Sequence, residues 1–309
     1  MLKCKILAMG ISDTTEDQVL GCLLGGALGD AWGGPWEGRL GPLQFEIPLQ
    51  SKISDDTQLT LATCESVIEK GSVDPENLAA HFLDWFVRGR ITGIGASTLK
   101  AMRDLSAGVH WALAGNRGEH AAGNGAAMRI APLAFVLDPL KAGDRTILRD
   151  VCRITHHNDE SYVGALAVVL AIHFVHAGLW SGQKSFLSMV VNSLPDSAVR
   201  DRIEQFLRLN IKPEEAASIF GASGYVVDTV PLALHFAQYV AGEPLSTVLA
   251  RTISAGGDTD TIASIAGQIA GTVVRATNIS RDLFDDIDEG EEIFQIGRQF
   301  ARLVASERD

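Results

Sequence analysis

The sequence predicts an all-α protein: a single compact domain of about a dozen orthogonally packed helices. Three observations lead there. Apolar residues recur at i, i+3 and i+4 along most of the 309 residues. No apolar–polar alternation is bounded by turn residues on both sides, so no strand is expected. No charged or Pro/Ser-rich linker divides the chain, so residues 17–305 read as one domain behind an N-terminal extension, 1–16. With 46% hydrophobic residues and a positive mean hydropathy, the chain has the material for a large core, which excludes disorder.

The first helix is expected over 17–32, where Val19, Leu20, Leu23, Leu24, Ala27, Leu28 and Ala31 share a face. Gly21, Gly25 and Gly29 recur every four residues in it; such a stripe weakens the helix but lets a second one approach closely. Gly33-Gly34-Pro35 stops it. A second helix is expected from Asp56 to Gly71, and a third is announced by Asp74 as N-cap with Pro75 behind it. Further helices are expected over 97–107, 125–137, 145–155, 160–179, 196–209, 225–240, 246–254, 260–275 and 287–305. Pro132 and Pro231 should sit near helix starts or cause kinks. Val163 to Trp180 is the most apolar stretch; His173 and His176 interrupt it, which suits a buried helix better than a membrane span. Those two histidines read as packing rather than as zinc ligands.

Lys+Arg is 26 and Asp+Glu is 38, a net charge of −12, which excludes a broad face for nucleic-acid phosphates. Cys4, Cys22, Cys64 and Cys152 form no C-x-x-C pair and read as reduced thiols. The apolar run Ile6 to Met9 is too short for a signal peptide, so the expected location is the cytoplasm.

Two clusters concentrate the acidity. Ser54-Asp55-Asp56-Thr57 precedes one apolar helix, and Gly256-Gly257-Asp258-Thr259-Asp260-Thr261 precedes another. Asp, Ser and Thr are ordinary N-caps, and carboxylates suit the positive end of a helix. A cap needs only one of them, however, and adjacent carboxylates repel. Two all-oxygen clusters without His or Cys suit a hard cation, Mg²⁺ or Mn²⁺, provided that they meet in space.

These residues, in this order, resemble the ADP-ribosylglycohydrolase family. Gly21-Cys22-Leu23-Leu24-Gly25-Gly26-Ala27-Leu28-Gly29-Asp30-Ala31 is similar to its opening helix, with Glu37 following. Ser54-Asp55-Asp56-Thr57-Gln58 resembles its first metal motif, and Gly123-Asn124-Gly125-Ala126-Ala127-Met128-Arg129 its ligand loop. Thr155-His156, Gly224-Tyr225-Val226-Val227-Asp228-Thr229 and Gly256 to Thr261 complete the set. The resemblance implies a cleft with two Mg²⁺ or Mn²⁺ ions held by Ser54, Asp55, Asp56, Asp258, Asp260 and Thr261. Thr often stands in the family where this chain has Ser54. Two such ions would offset four carboxylates and leave a net charge of about −8.

The resemblance further implies ADP-ribose contacts from His156, Tyr225, Gly123, Asn124 and Gly125, with Gly93, Gly95 and Ser97 as a second ligand loop. Glycine there frees backbone N–H groups to face an anion, and a helix start would favour negative charge. Arg129, one turn further on, reads as structural, and Asp228 and Thr229 as support for the cleft. Glu37, Asp55, Asp258 and Asp260 are the expected catalytic carboxylates, with Glu37 on a movable flap. The implied reaction is metal-dependent hydrolysis between ADP-ribose and a modified side chain of a protein or peptide, arginine before serine, by a monomer that touches neither nucleic acid nor membrane. Cleavage of another linkage such as O-acetyl-ADP-ribose, and ADP-ribose binding without catalysis, are the alternatives. A His-Asp phosphohydrolase built on His156-His157 and Asp159 would leave both aspartate clusters unused.

Overall fold

The computed structural model describes residues 14–180 and 186–306, so Cys4 and most of the 1–16 extension lie outside the described residues. Among them are thirteen α-helices, here α1 (Thr14–Gly33), α2 (Asp55–Lys70), α3 (Pro75–Val87), α4 (Ala96–Ser106), α5 (Ala142–Arg153), α6 (Asp159–His176), α7 (Phe186–Ser193), α8 (Ala198–Leu209), α9 (Pro213–Phe220), α10 (Val226–Ala237), α11 (Leu245–Ser254), α12 (Thr259–Val274) and α13 (Gly290–Ser306). The all-α expectation holds, with one small exception. Asn116–Arg117 (β1) and His156–His157 (β2) form a two-stranded parallel pair, Asn116 opposite His156. No helix among the described residues is long and apolar enough to cross a membrane.

The centre of the fold is the antiparallel pair α1 and α12. A Cβ on Gly25 would lie 2.2 Å from the carbonyl oxygen of Gly267, and one on Gly29 would lie 2.0 Å from that of Ala263. The two backbones therefore touch, and the four-residue glycine stripe is what permits it. The pairing also decides where the chain ends of the helices fall: the start of α12 lies beside the end of α1, where Thr259 donates to the Gly33 carbonyl at 2.9 Å. Around this pair α13 crosses α1 and α2, while α6, α10 and α11 cover α12, and the buried apolar side chains form one continuous core.

Side-chain caps set several helix starts. Asp74 accepts from the N–H groups of Glu76 and Asn77, Asn158 from Ser161, and Ser197 from Arg200. Pro231 sits inside α10. His176 bonds Gln18 at 2.9 Å and meets the edge of Phe135, as the packing expectation requires. Cys22, Cys64 and Cys152 are free and buried, and burial raises the thiols of Cys22 and Cys152 to about 12.

Two expectations need correction. The helix expected over 125–137 is replaced by short 3₁₀ turns, Asn124–Ala126 and Ala131–Phe135, the second with Pro132 in its first turn. Its alanines, Met128 and Leu133 are buried in the core, so burial rather than helical periodicity explains their apolar spacing. Helices α7 and α9 were not expected from the sequence; both have only eight residues.

Candidate active site

The α1–α12 contact carries Asp258, Asp260 and Thr261 to the N-terminus of α2. Thr261 Oγ1 donates to Asp56 Oδ2 at 3.2 Å across 205 residues of sequence, so the two acidic clusters meet. Beneath them stands Asp30, fully buried near the end of α1. Its carboxylate accepts from Ser54 Oγ at 2.7 Å, from the Ser54 N–H at 3.0 Å and from the Thr57 N–H at 3.1 Å. Ser54 is the N-cap of α2 and accepts from the Asp56 N–H. Capping at α2 thus falls to Ser54 and Asp30, leaving the Asp55 and Asp56 carboxylates for other work. At α12 Asp258 occupies the N-cap position, but its side chain caps nothing.

The carboxylates are crowded, and those of Asp55, Asp56 and Asp260 are buried. Asp56 is 1% exposed, its Oδ1 is buried without a partner, and burial and then the charges of Asp30 and Asp260 raise its pKa well above the ordinary carboxylate range. Burial and then Asp30 push Asp55 up to about 7, although the Gly95 N–H opposes this. Burial and then Asp258 push Asp260 up to about 9. Glu37 is raised by partial burial and by Asp258. Carboxylate oxygens of Glu37, Asp258 and Asp260 lie within 4.8 Å of one another. Such a set of hard oxygens repels itself until a cation or protons arrive.

The carboxylates form one end of a cleft of about 280 Å³. Its walls include Glu37, Asp55, Asp56, Asp258, Asp260 and Thr261, together with the expected ligand residues Gly93, Gly95, Ser97, Gly123, Asn124, Gly125 and His156. Ser54 is not among the lining residues; its Oγ donates to Asp30. Tyr225 is not among the lining residues: its backbone pairs with Gly123 and it is exposed. Ala96, Thr98, Met128 and Gly224 also line the cleft.

Asn124 joins the two ends. Its Nδ2 donates to Asp258 Oδ2 at 2.6 Å and to Thr229 Oγ1 at 3.0 Å. Because residues 124–126 are a single 3₁₀ turn, no long helix start faces the cleft here, and the Asn124 N–H is already given to the Gly224 carbonyl. The helix-start contribution expected for this loop is therefore absent. Arg129 is structural, as expected: it is fully buried, donates to the Gly125 carbonyl and to Thr155 Oγ1, and stacks on Phe82. Asp228 pairs with Arg202 and accepts from Ser223.

The comparisons with known proteins bear on this arrangement. A model of the ADP-ribosylglycohydrolase family matches residues 11–309. The chain belongs to the ADP-ribosylglycohydrolase family. As such it is a hydrolase of ADP-ribosyl linkages, acting on ADP-ribosylated substrates. It is 27% identical over 254 residues to the ADP-ribosyl-[dinitrogen reductase] glycohydrolase of Rhodospirillum rubrum, covering 82% of this chain and 79% of that one. It is 26% identical to ADP-ribosylhydrolase ARH3 of Homo sapiens, covering 71% and 69%. An uncharacterized protein of Archaeoglobus fulgidus is 33% identical over 222 residues, covering 71% and 70%. A solved structure described as an ADP-ribosylglycohydrolase-related protein complex superposes with a TM-score of 0.67 at 22% identity, over 94% of this chain and 99% of that one, so the fold is shared.

Two features of this glycohydrolase were not legible as site features in its sequence. Asp30 lay inside the glycine-striped helix; the signal was a lone acid near the end of an otherwise apolar helix. The Glu37 segment was expected to move, yet the Gly38 N–H donates to the Gly257 carbonyl at 2.8 Å and the Gly257 N–H to the Arg39 carbonyl at 2.7 Å. The backbone beside Glu37 is thereby tied to the approach to α12.

Proposed function

We propose that this glycohydrolase splits the glycosidic bond between ADP-ribose and an arginine side chain of a modified protein, using two Mg²⁺ or Mn²⁺ ions. The observation that carries this reading is the meeting of both acidic clusters over one cleft, with Asp56 Oδ1 buried and unpartnered. A cation relieves such an oxygen, and the donor set of carboxylates and hydroxyls suits a hard divalent ion. Ser54, Asp55, Asp56, Asp258, Asp260 and Thr261 would hold the ions. When bound, they supply Lewis acidity and orient the ribose hydroxyls.

The chain's own groups do the rest. Asn124 fixes Asp258, so the distal ribose and the pyrophosphate are registered against one rigid frame. Gly93, Gly95, Gly123 and Gly125 let backbone approach the ligand, while Ser97 and His156 offer polar groups at the same end of the cleft. Glu37 holds a proton more readily than an ordinary glutamate and stands at the carboxylate end, the position for protonating a leaving group or deprotonating water.

Arginine rather than serine is supported by what adjoins that end. A groove of about 1040 Å³ opens beside Glu37 and Asp258 and is also lined by Glu215 and by Glu214, which pairs with Arg251. A guanidinium leaving group suits a carboxylate-lined exit better than a neutral hydroxyl does.

Hydrolysis of matched Arg- and Ser-ADP-ribosylated peptides with each metal tests the reading. Release of ADP-ribose from the arginine peptide is expected to dominate; equal or greater release from the serine peptide overturns the arginine assignment. Glu37→Ala should lower kcat by about 10²-fold or more with little change in ADP-ribose affinity. An unchanged kcat would remove Glu37 from the chemistry.

A further inference from the structure

Arg129 is a buried charge in an unusual setting. It is fully buried, its Nη1 has no partner, and no ion pair reaches it among the described residues. Its two hydrogen bonds go to neutral oxygens, the Gly125 carbonyl at 3.1 Å and Thr155 Oγ1 at 2.6 Å. Burying a guanidinium without a counter-charge is costly, so the contacts that it does make call for a physical reason.

Counting donors and acceptors at Thr155 supplies one. Thr155 is fully buried, and its hydroxyl oxygen has two neighbours: Arg129 Nη2 at 2.6 Å and His156 Nδ1 at 2.8 Å. A guanidinium only donates, so the Thr155 proton cannot point toward Arg129. Among the described residues the one remaining acceptor for that proton is His156 Nδ1. If Nδ1 carried a hydrogen instead, two donors would converge on the hydroxyl oxygen and the hydroxyl proton would be buried without an acceptor. The arrangement is satisfied only when Nδ1 is a bare acceptor, which places the ring hydrogen on Nε2.

Nε2 is the atom that faces the ligand loop. A Cβ built on Gly123 or on Gly125 would lie 3.3 Å from it, so glycine at both positions leaves room beside this nitrogen. His156 lines the cleft, and no hydrogen bond occupies Nε2 among the described residues. We propose that Arg129 and Thr155 are positioning residues that fix His156 as the Nε2–H tautomer, so that it presents an N–H donor to an acceptor oxygen of the ligand. That this oxygen belongs to ADP-ribose rests on the function proposed above; the tautomer of the free protein does not. Burial, and then the Arg129 charge, push His156 down to about 3, which keeps the ring uncharged at neutral pH. The site thus gains a fixed donor without a second buried cation.

The test is the ¹⁵N spectrum of histidine-labelled protein at pH 7, in which the two tautomers and the imidazolium give separate ring-nitrogen signatures. Wild-type His156 should show Nε2 protonated and Nδ1 bare. An Nδ1–H ring or an imidazolium overturns the proposal. Thr155→Val should abolish the single tautomer and weaken ADP-ribose binding about tenfold in the presence of Mg²⁺. Thr155→Ser should restore both. A Thr155→Val protein that keeps a pure Nε2–H ring overturns the role of Thr155. Arg129→Met should leave Thr155 free to accept and produce a mixture of tautomers. If these variants fail to fold, the wild-type spectrum alone decides the tautomer. Wild-type protein with the Nε2–H ring but no ADP-ribose binding would defeat the proposed function and leave the tautomer standing.

Discussion

The N-termini of α2 and α12 carry nearly the same letters, Ser-Asp-Asp-Thr and Asp-Thr-Asp-Thr, and are built differently. At α2 the motif rests on its own cap and on one buried acid of α1. Ser54 caps the helix, Asp30 takes the Ser54 and Thr57 N–H groups, and the pair Asp55 and Asp56 projects into the cleft. At α12 nothing in the motif caps the helix through its side chain. Asp258 is held from outside by Asn124, the lead-in glycine by Arg39, and Thr261 reaches across to Asp56. The first cluster is a fixed ledge; the second is a meeting point of segments from the whole chain. The difference teaches that a similar acidic motif can be anchored by its own cap over a single buried acid or by several separate segments, and that the two should respond differently to mutation.

The sharpest way to break this picture is to remove a carboxylate on either side. Asp56→Asn or Asp260→Asn should each lower kcat/KM by at least about 10³-fold at limiting Mg²⁺, because both sides are needed to hold the ions. Turnover that survives either change at limiting metal would separate the clusters functionally. Supporting residues should matter less. Asn124→Ala should weaken metal binding about 10–100-fold, measured by calorimetry, while leaving the melting temperature nearly unchanged. Asp30→Ala should cost a similar factor and also destabilise the fold by about 1–3 kcal/mol in denaturant titrations, since buried N–H groups at α2 lose their acceptor. If the two variants behave alike in stability, the contrast between a ledge and a meeting point fails.

A gentler probe is pH. Asp55 and Asp260 are pushed up to about 7 and about 9, so the folded, metal-free protein binds more protons than the unfolded chain from roughly pH 4 upward. Raised carboxyl values mean that metal-free stability falls as pH rises through that window. Divalent ions replace the lost protons, so the gap in melting temperature between Mg²⁺-loaded and chelator-treated protein should widen from pH 6 to pH 9. A constant gap would show that these carboxylates are not the ones that bind metal.

How legible the site was can be judged residue by residue. Asp56 and Asp260 stood out because two acids in one short turn exceed what a cap requires. Asp30 did not, because its partners, Ser54 and Thr57, are distant in sequence and its burial is invisible there. The 3₁₀ turns between Asn124 and Phe135 were misread as one helix because buried loops and buried helices are equally apolar. Glu37 could be picked out, but the bonds from Gly38 and Arg39 to Gly257, which hold its segment, could not.

The sequence by itself determined the helical class, the start of α3 at Asp74, the glycine stripe of α1 and the chemistry of both acidic motifs, because each depends on residues within a few turns of one another. Only the tertiary structure decided that the clusters share a cleft, that Asp30 rather than a cleft-lining aspartate supports α2, and that Asn124 ties the ligand loop to Asp258. Those relations span 27, 134 and 205 residues, and they exist because α1 and α12 touch backbone to backbone; the glycine stripe permits such an approach but does not name the helix that makes it.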